Sequence, residues 1–311
     1  MQYYPDPHTD LAYPEVIEAL EKAFTDHCEG KVQMPPKVYI TFKKGDFRTM
    51  PAYIPSLNIA GVKVVNVHPG NREVGLPTVM AVTLILDVDT GKPTAILNAT
   101  RLTDIRTGAA GAIATKYLAR EGEISLGLVG SGRQAETQLE AIATVRTIRE
   151  VRVWSRTREN AEEFAARYPQ YGARAASLEE ACDCDVICST TPSREPLVKR
   201  EWIRAGTHIN AIGADAPGKE ELDPAILKRA RVFVDDIEQA THSGEINVPL
   251  KKGLFDRSRI AGTIGDVVCE HVGRQSPDEI TVFDSTGLAI QDLAIAAIAM
   301  KYSEGMDLPF H

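Results

Sequence analysis

The spacing of apolar positions divides the chain into stretches of different period. Over residues 13–29, apolar side chains recur at Val16, Ile17, Leu20, Ala23 and Phe24, a helical pattern that Gly30 ends. Strand-like runs follow at 37–42, 47–54, 61–67 and 77–86. The last is joined to 93–97 through Asp87-Val88-Asp89-Thr90-Gly91-Lys92, so an antiparallel β region is predicted. A helix is predicted from about 102 to 119, and the polar stretch Arg120-Glu121-Gly122-Glu123 suits a domain boundary. Short apolar runs then occur at 124–129, 151–155, 185–190, 208–212, 232–235 and 280–283, most of them separated by helical patterns, which predicts a parallel, doubly wound sheet. Residues 287–300 form an almost wholly apolar helix that needs cover on most sides. It is expected to return to the N-terminal β region and to help form a subunit interface.

The first of the inner runs ends in a motif. Leu126-Gly127-Leu128-Val129 leads into Gly130-Ser131-Gly132-Arg133-Gln134-Ala135, a G-x-G-x-x-A between a strand and an amphipathic helix. Gly130 suits the tight turn, Gly132 lets backbone approach a pyrophosphate, and Ala135 keeps the helix close to the strand. The expected fold class is therefore α/β, with a Rossmann dinucleotide-binding domain over 120–286. It is inserted in an α+β substrate and dimerisation domain made from 1–119 and 287–311.

Composition narrows the function classes. The net charge is −8 and no basic run occurs, which argues against a nucleic-acid surface. No apolar run reaches the length of about 18 residues needed to span a membrane, and the first residues lack the layout of a signal peptide, so a cytoplasmic protein is expected. Cys182, Cys184 and Cys188 lie close in sequence, but without a second Cys or His pair nearby they read as buried thiols rather than metal ligands.

Charged residues in apolar or glycine-rich settings are the candidates for chemistry. Strand alternation puts Lys63 on the same face as Val65 and Val67, where its amine is either an acid/base group or part of a solvated face. Arg48 and Arg106 are local cations suited to a substrate carboxylate, or else members of surface ion pairs. Asp215 follows the run 208–212, at the carboxyl edge where open α/β sheets bind ligands; it is a catalytic carboxylate or a turn former.

Several longer segments carry a resemblance to a known family: Gln33-Met34-Pro35-Pro36-Lys37, Asn66-Val67-His68-Pro69-Gly70-Asn71, Gly75-Leu76-Pro77-Thr78-Val79-Met80, Arg106-Thr107-Gly108-Ala109-Ala110, His208-Ile209-Asn210-Ala211-Ile212-Gly213-Ala214-Asp215 and Phe283-Asp284-Ser285-Thr286-Gly287. Over nearly its whole length the chain resembles the ornithine cyclodeaminase/mu-crystallin family, and within it the archaeal-type alanine dehydrogenases. The resemblance implies that Lys63 lies beside a bound amino or keto acid, that Asp215 is an acid/base carboxylate, that Arg106 binds the substrate carboxylate and that Thr286 lines the pocket. It implies cofactor contacts from Thr78, Gly130, Ser131, Gly132, Arg133, Gln134, Thr191, Ile212, Gly213 and Ala214. Cyclodeaminases carry a glutamate where this chain has Arg48, a change that should repel the distal amine of ornithine and supply a second carboxylate-facing cation. The mu-crystallin branch has serine in place of Asp215.

The expected reaction is reversible reductive amination of a small 2-oxo acid, with NAD(P) as cofactor and a homodimer as the assembly. A ketimine reductase acting on a cyclic imine, an ornithine cyclodeaminase and a mu-crystallin-like binding protein are the alternatives. Where an acidic residue would accept from the ribose 2′-hydroxyl, about 20 residues past the glycines, the chain has Ser155-Arg156-Thr157 followed by Arg158. This favours NADP over NAD, because no carboxylate repels the 2′-phosphate and Arg156 can pair with it; the alternative is that Arg156 caps the next helix or pairs with Glu159. The family's Asn-Arg-Thr variant, similar to this segment, uses NADPH.

Overall fold

A computed structural model describes residues 1–270 and 272–309. The chain divides into two compact units, Met1–Arg106 with Leu288–His311 and Thr107–Gly287. The first unit begins with β1 (Gln2–Tyr4), α1 (Tyr13–Cys28), β2 (Val38–Phe42), β3 (Gly45–Ile54), β4 (Ile59–Val67), β5 (Val79–Leu86) and β6 (Pro93–Asn98), and the helix α2 (Thr100–Leu118) carries the chain into the second unit. The polar stretch at 120–123 thus lies within that second unit. There follow β7 (Ile124–Val129), α3 (Arg133–Ile142), β8 (Ile148–Trp154), α4 (Arg158–Arg167), β9 (Ala173–Ala175), α5 (Leu178–Cys182), β10 (Val186–Ser189), β11 (His208–Ala211), α6 (Pro224–Leu227), β12 (Arg231–Val234), α7 (Ile237–Ser243), α8 (Asn247–Lys251), β13 (Ile260–Thr263), α9 (Ile264–Glu270) and β14 (Thr281–Asp284). The helix α10 (Ala289–Tyr302) and β15 (Met306–Asp307) complete the first unit.

In the first unit, seven strands run in the order β15-β1-β6-β5-β4-β3-β2. Neighbours from β2 to β6 pair antiparallel, as hairpin connections require, and β1 joins β6 in parallel. Alternation gives the sheet a buried face made by Arg48, Met50, Ala52 and Ile54 of β3, Gly61, Lys63 and Val65 of β4, and Ala81, Thr83 and Ile85 of β5. The apolar helix α10 packs against β3, β4, β5 and α1, as its composition demands. α1 begins with Pro14 in its first turn and buries Val16, Ile17, Leu20, Ala23 and Phe24, the positions whose spacing predicted it. The opposite face of the sheet also carries apolar side chains, but Val38, Ile40, Phe42 and Val82 there are exposed.

The second unit is an eight-stranded parallel sheet in the order β13-β12-β14-β11-β10-β7-β8-β9. All residues of β7 are buried, as a strand covered on both faces must be. The strand order reverses between β7 and β10, the point at which such sheets bind ligands. Burial pushes the thiols of Cys182 and Cys188 up to about 12 and that of Cys184 to about 11. Four short strands, β1, β9, β13 and β15, escape prediction because none of their residues is buried and they lack the continuous apolar run that marks the equally short inner strands. Among the described residues, no helix is long and apolar enough to cross a membrane.

Gly61 allows the close packing around Lys63. A Cβ there would lie 2.3 Å from the Leu84 carbonyl oxygen and 3.2 Å from Leu293 Cδ2 of α10. Gly61→Ala is expected to lower stability by about 1–3 kcal/mol, the usual cost of overpacking. Thermal denaturation checks this, and an unchanged melting temperature contradicts the proposed tightness of the α10 contact.

Candidate active site

Lys63 is a lysine on the covered face of a sheet, 1% exposed, with Met50 and Thr83 directly opposite on the neighbouring strands. Its ammonium is held by α10: Lys63 Nζ donates to Asp292 Oδ1 at 2.6 Å. Arg106 donates from Nε to the same oxygen at 3.1 Å and from Nη1 to Gln291 Oε1 at 3.0 Å. Gln291 Oε1 also accepts from the Leu288 N–H, fixing the start of the helix. Asp292 lies in the first turn of α10, where the helix dipole favours negative charge. Burial pushes the Lys63 amine down to about 7; Asp292 opposes that shift, while the charges of Arg106 and Lys37 reinforce it. The amine therefore exchanges protons near neutral pH, and the solvated-face alternative falls away.

Arg48, two residues along β3 from Met50 and inward-facing, is also buried. It pairs with Asp46 through Nε at 2.9 Å and lies 5.2 Å from the centre of the Tyr39 ring. Thr78 precedes β5 and is half-buried.

The remaining candidates belong to the second unit, where parallel strands put every carboxyl end on one edge. Gly130 follows β7, Ser155-Arg156-Thr157 follow β8, Thr191 follows β10, Ile212-Gly213-Ala214-Asp215 follow β11 and Thr286 follows β14. Gly130 has φ of 123°, a turn that favours glycine. A Cβ on Gly132 would meet nothing within 4 Å, and Arg133 and Gln134 open α3, so the loop presents open backbone at a helix start. These features fit the pyrophosphate of a dinucleotide. Arg156 is exposed and has no ion-pair partner among the described residues, whereas Arg158 pairs with Glu162 at 2.8 Å. Asp215 is half-buried and accepts from Lys219 Nζ at 2.6 Å. The Thr286 hydroxyl is committed to Asp235 at 2.9 Å, and the Thr286 and Gly287 N–H groups donate to the same carboxylate.

The model of the ornithine cyclodeaminase/mu-crystallin family matches residues 6–304. The chain belongs to that family. Among curated members, the alanine dehydrogenase of Archaeoglobus fulgidus is 50% identical over 294 residues, covering 94% of this chain and 91% of the relative. An archaeal alanine dehydrogenase dimer solved with bound NAD superposes with a TM-score of 0.93 at 46% identity, covering 99% of each chain. The Δ1-pyrroline-2-carboxylate reductase of Thermococcus litoralis, solved with NADH and L-proline, gives a TM-score of 0.94 at 36% identity, covering 99% of this chain and 100% of the other. This member of the family is a nicotinamide-dependent oxidoreductase.

Sequence reasoning did not single out four residues that hold these candidates in place: in the first unit Asp292 and Gln291, polar residues of an otherwise apolar helix, and in the second Lys219 and Glu221, charges in the segment between β11 and α6. Glu221 is wholly buried and accepts from the Thr191 N–H and hydroxyl at 2.6 and 2.7 Å, from the Ser189 hydroxyl at 2.8 Å and from the Gly213 N–H at 2.9 Å. It staples the loop after β10 to the loop after β11. Only an acceptor on both oxygens satisfies these donors, and an unmet buried donor costs about 1–3 kcal/mol. Glu221→Gln is expected to weaken NADH binding about tenfold, or about 1.4 kcal/mol, with a lowered melting temperature. Fluorescence titration with NADH checks this; an unchanged Kd contradicts the staple.

Proposed function

We propose that this protein is an amino-acid dehydrogenase that catalyses the reversible reductive amination of a small 2-oxo acid, with pyruvate and L-alanine as the favoured pair. The observation that carries this reading is the meeting of buried Lys63, on the covered face of the first unit's sheet, and buried Arg106 of α2 on one oxygen of Asp292, an environment suited to one substrate carboxylate and one exchangeable proton. The 50% identity to the archaeal alanine dehydrogenase supports it.

Arg106 binds and orients the substrate carboxylate through the N–H groups that Asp292 and Gln291 leave available. Lys63 gives up a proton to the departing hydroxyl as ammonia adds and water leaves, and recovers it in the reverse direction. Asp215, held by Lys219, carries a second proton. When bound, the nicotinamide dinucleotide supplies or accepts the hydride, with Gly130 to Gln134, Thr78, Thr191 and Ile212 to Ala214 holding it.

A second reading, reduction of a preformed cyclic imine, is favoured by the neighbour that holds L-proline. Cyclodeamination of ornithine is disfavoured by the buried guanidinium of Arg48, which repels a distal amine. Two copies of the chain are proposed to associate, as in the dimeric archaeal neighbour, through the apolar sheet face left uncovered by Val38, Ile40, Phe42 and Val82.

Steady-state assays with 2-oxo acids plus ammonium, 2-oxo acids plus methylamine, cyclic imines and ornithine test the assignment. Turnover with pyruvate and ammonium is expected, with kcat lowered about 10²–10⁴-fold in Lys63→Ala and in Asp215→Ala. Turnover confined to cyclic imines supports the second reading instead, and efficient proline formation from ornithine overturns both.

The cofactor preference is tested separately. Arg156, exposed beside Ser155 and without an ion-pair partner among the described residues, supports use of NADPH, against neighbours solved with NAD or NADH. Arg156→Ala is expected to weaken NADPH selectively by about 1.5–3 kcal/mol, the scale of a hydrogen bond to a charged group. A kcat/KM for NADH above that for NADPH in the unmodified protein contradicts this.

A further inference from the structure

Asp292 is 3% exposed, and its two carboxylate oxygens differ sharply. Oδ1 takes both Lys63 Nζ, at 2.6 Å, and Arg106 Nε, at 3.1 Å. Oδ2 is buried and has no hydrogen-bond partner among the described residues. Nor has the neighbouring Gln291 Nε2. An orphaned buried acceptor is unfavourable, and apolar side chains in place of all three charged groups would serve stability at least as well, so stability alone does not account for the cluster. The cost is explained if the carboxylate is kept for what its Oδ1 does to the two cations.

We propose that Asp292 is the positioning residue for both substrate-facing cations: by collecting Lys63 Nζ and Arg106 Nε on one oxygen it aims the free end of the guanidinium at the substrate carboxylate and readies the amine to carry a proton. The proposal rests on the amino-acid dehydrogenase reading for the identity of that substrate. With Nε engaged by Asp292 and one Nη1 hydrogen by Gln291 Oε1, Arg106 keeps its second Nη1 hydrogen and both on Nη2, the end-on fork that receives a carboxylate. Lys63 is fixed at the end of its stem rather than left to sample rotamers.

The groups that act on Lys63 come from each element around it. Asp292 of α10 raises its proton affinity. Arg106 of α2 and Lys37, just before β2, lower it, and so, most of all, does burial. The cross-strand partners Met50 and Thr83 carry no charge. Asp292 is the anion among the principal influences on Lys63, and the others named expel the proton, so neutralising Asp292 must shift Lys63 titration to lower pH.

The test combines an activity-independent readout with kinetics. Protein labelled with ¹³C at the lysine side chains is titrated by NMR, the Lys63 signal being assigned by its loss in Lys63→Arg. A midpoint near 7 is expected for the unmodified protein, and one lower by at least about one pH unit in Asp292→Asn, the scale on which an adjacent opposite charge acts. The limb of the kcat/KM profile that Lys63 governs should move in the same direction. KM for the 2-oxo acid should rise tenfold or more, with NADH affinity unchanged. Asp292→Glu keeps the charge but displaces it by a methylene, so it should retain the midpoint and still raise KM. It serves alone if the asparagine variant does not fold. An unshifted midpoint in Asp292→Asn, or an unchanged KM in Asp292→Glu, overturns the proposal. Because the titration needs no substrate, absence of turnover with every 2-oxo acid would sink the dehydrogenase reading while leaving the Asp292–Lys63 coupling measured.

Discussion

One carboxylate oxygen, Asp292 Oδ1, holds the first unit's buried ion cluster together. Placing an ammonium, a guanidinium and a carboxylate in a nearly dry interior costs several kcal/mol per ion, and the cost is met only when the charges are paired at hydrogen-bond distance. The pairing joins chain segments from opposite ends: Lys63 on β4 and Asp292 on α10 lie 229 residues apart. The apolar body of α10 brings Asp292 there, since Ile290, Leu293, Ala294 and Ala296 have to be buried and the helix finds its cover against β3, β4, β5 and α1. Hydrophobic burial thus places the helix, and the ion cluster sets what its first turn does.

The second unit solves a different problem. Its parallel strands align their carboxyl ends on one edge, and the loops that leave this edge must be stiff enough to hold a cofactor. Buried acids provide that stiffness. Glu221 ties the β10 and β11 loops together, Asp235 fixes Thr286 and Gly287, and Asp284 accepts from the Glu245 and Ile246 N–H groups. Glu245 in turn accepts from the Glu221 and Leu222 N–H groups. Burial, then the nearby Glu221 charge, raises the Glu245 carboxyl well above the ordinary glutamate range, so the chain of acids is held together with fewer negative charges than its formal count.

Much of this was legible in the sequence where the signal is local. The fingerprint Gly130 to Ala135 is contiguous, and the inner runs that became β7, β8, β10, β11, β12 and β14 are long enough to show their apolar character. Lys63 and Arg106 could be singled out because each is a charge in an apolar setting, yet their common partner could not. Asp292 looks like any polar residue at the start of a helix, and only the folded chain shows that it meets them. Glu221 is hidden for the same reason, one acid in a polar loop whose partners are backbone groups of other loops. The lesson is physical: a motif that binds through its own backbone is written in consecutive residues, whereas a buried ion cluster is assembled from residues that share no sequence neighbourhood.

The most direct test of the central claim is a crystal structure of the protein with NAD and L-alanine. The substrate carboxylate should lie on the outer N–H groups of Arg106 beside Lys63, while Asp292 Oδ1 still holds Lys63 Nζ and Arg106 Nε. A carboxylate bound elsewhere, or an Asp292 side chain turned away from both cations in the complex, would contradict it.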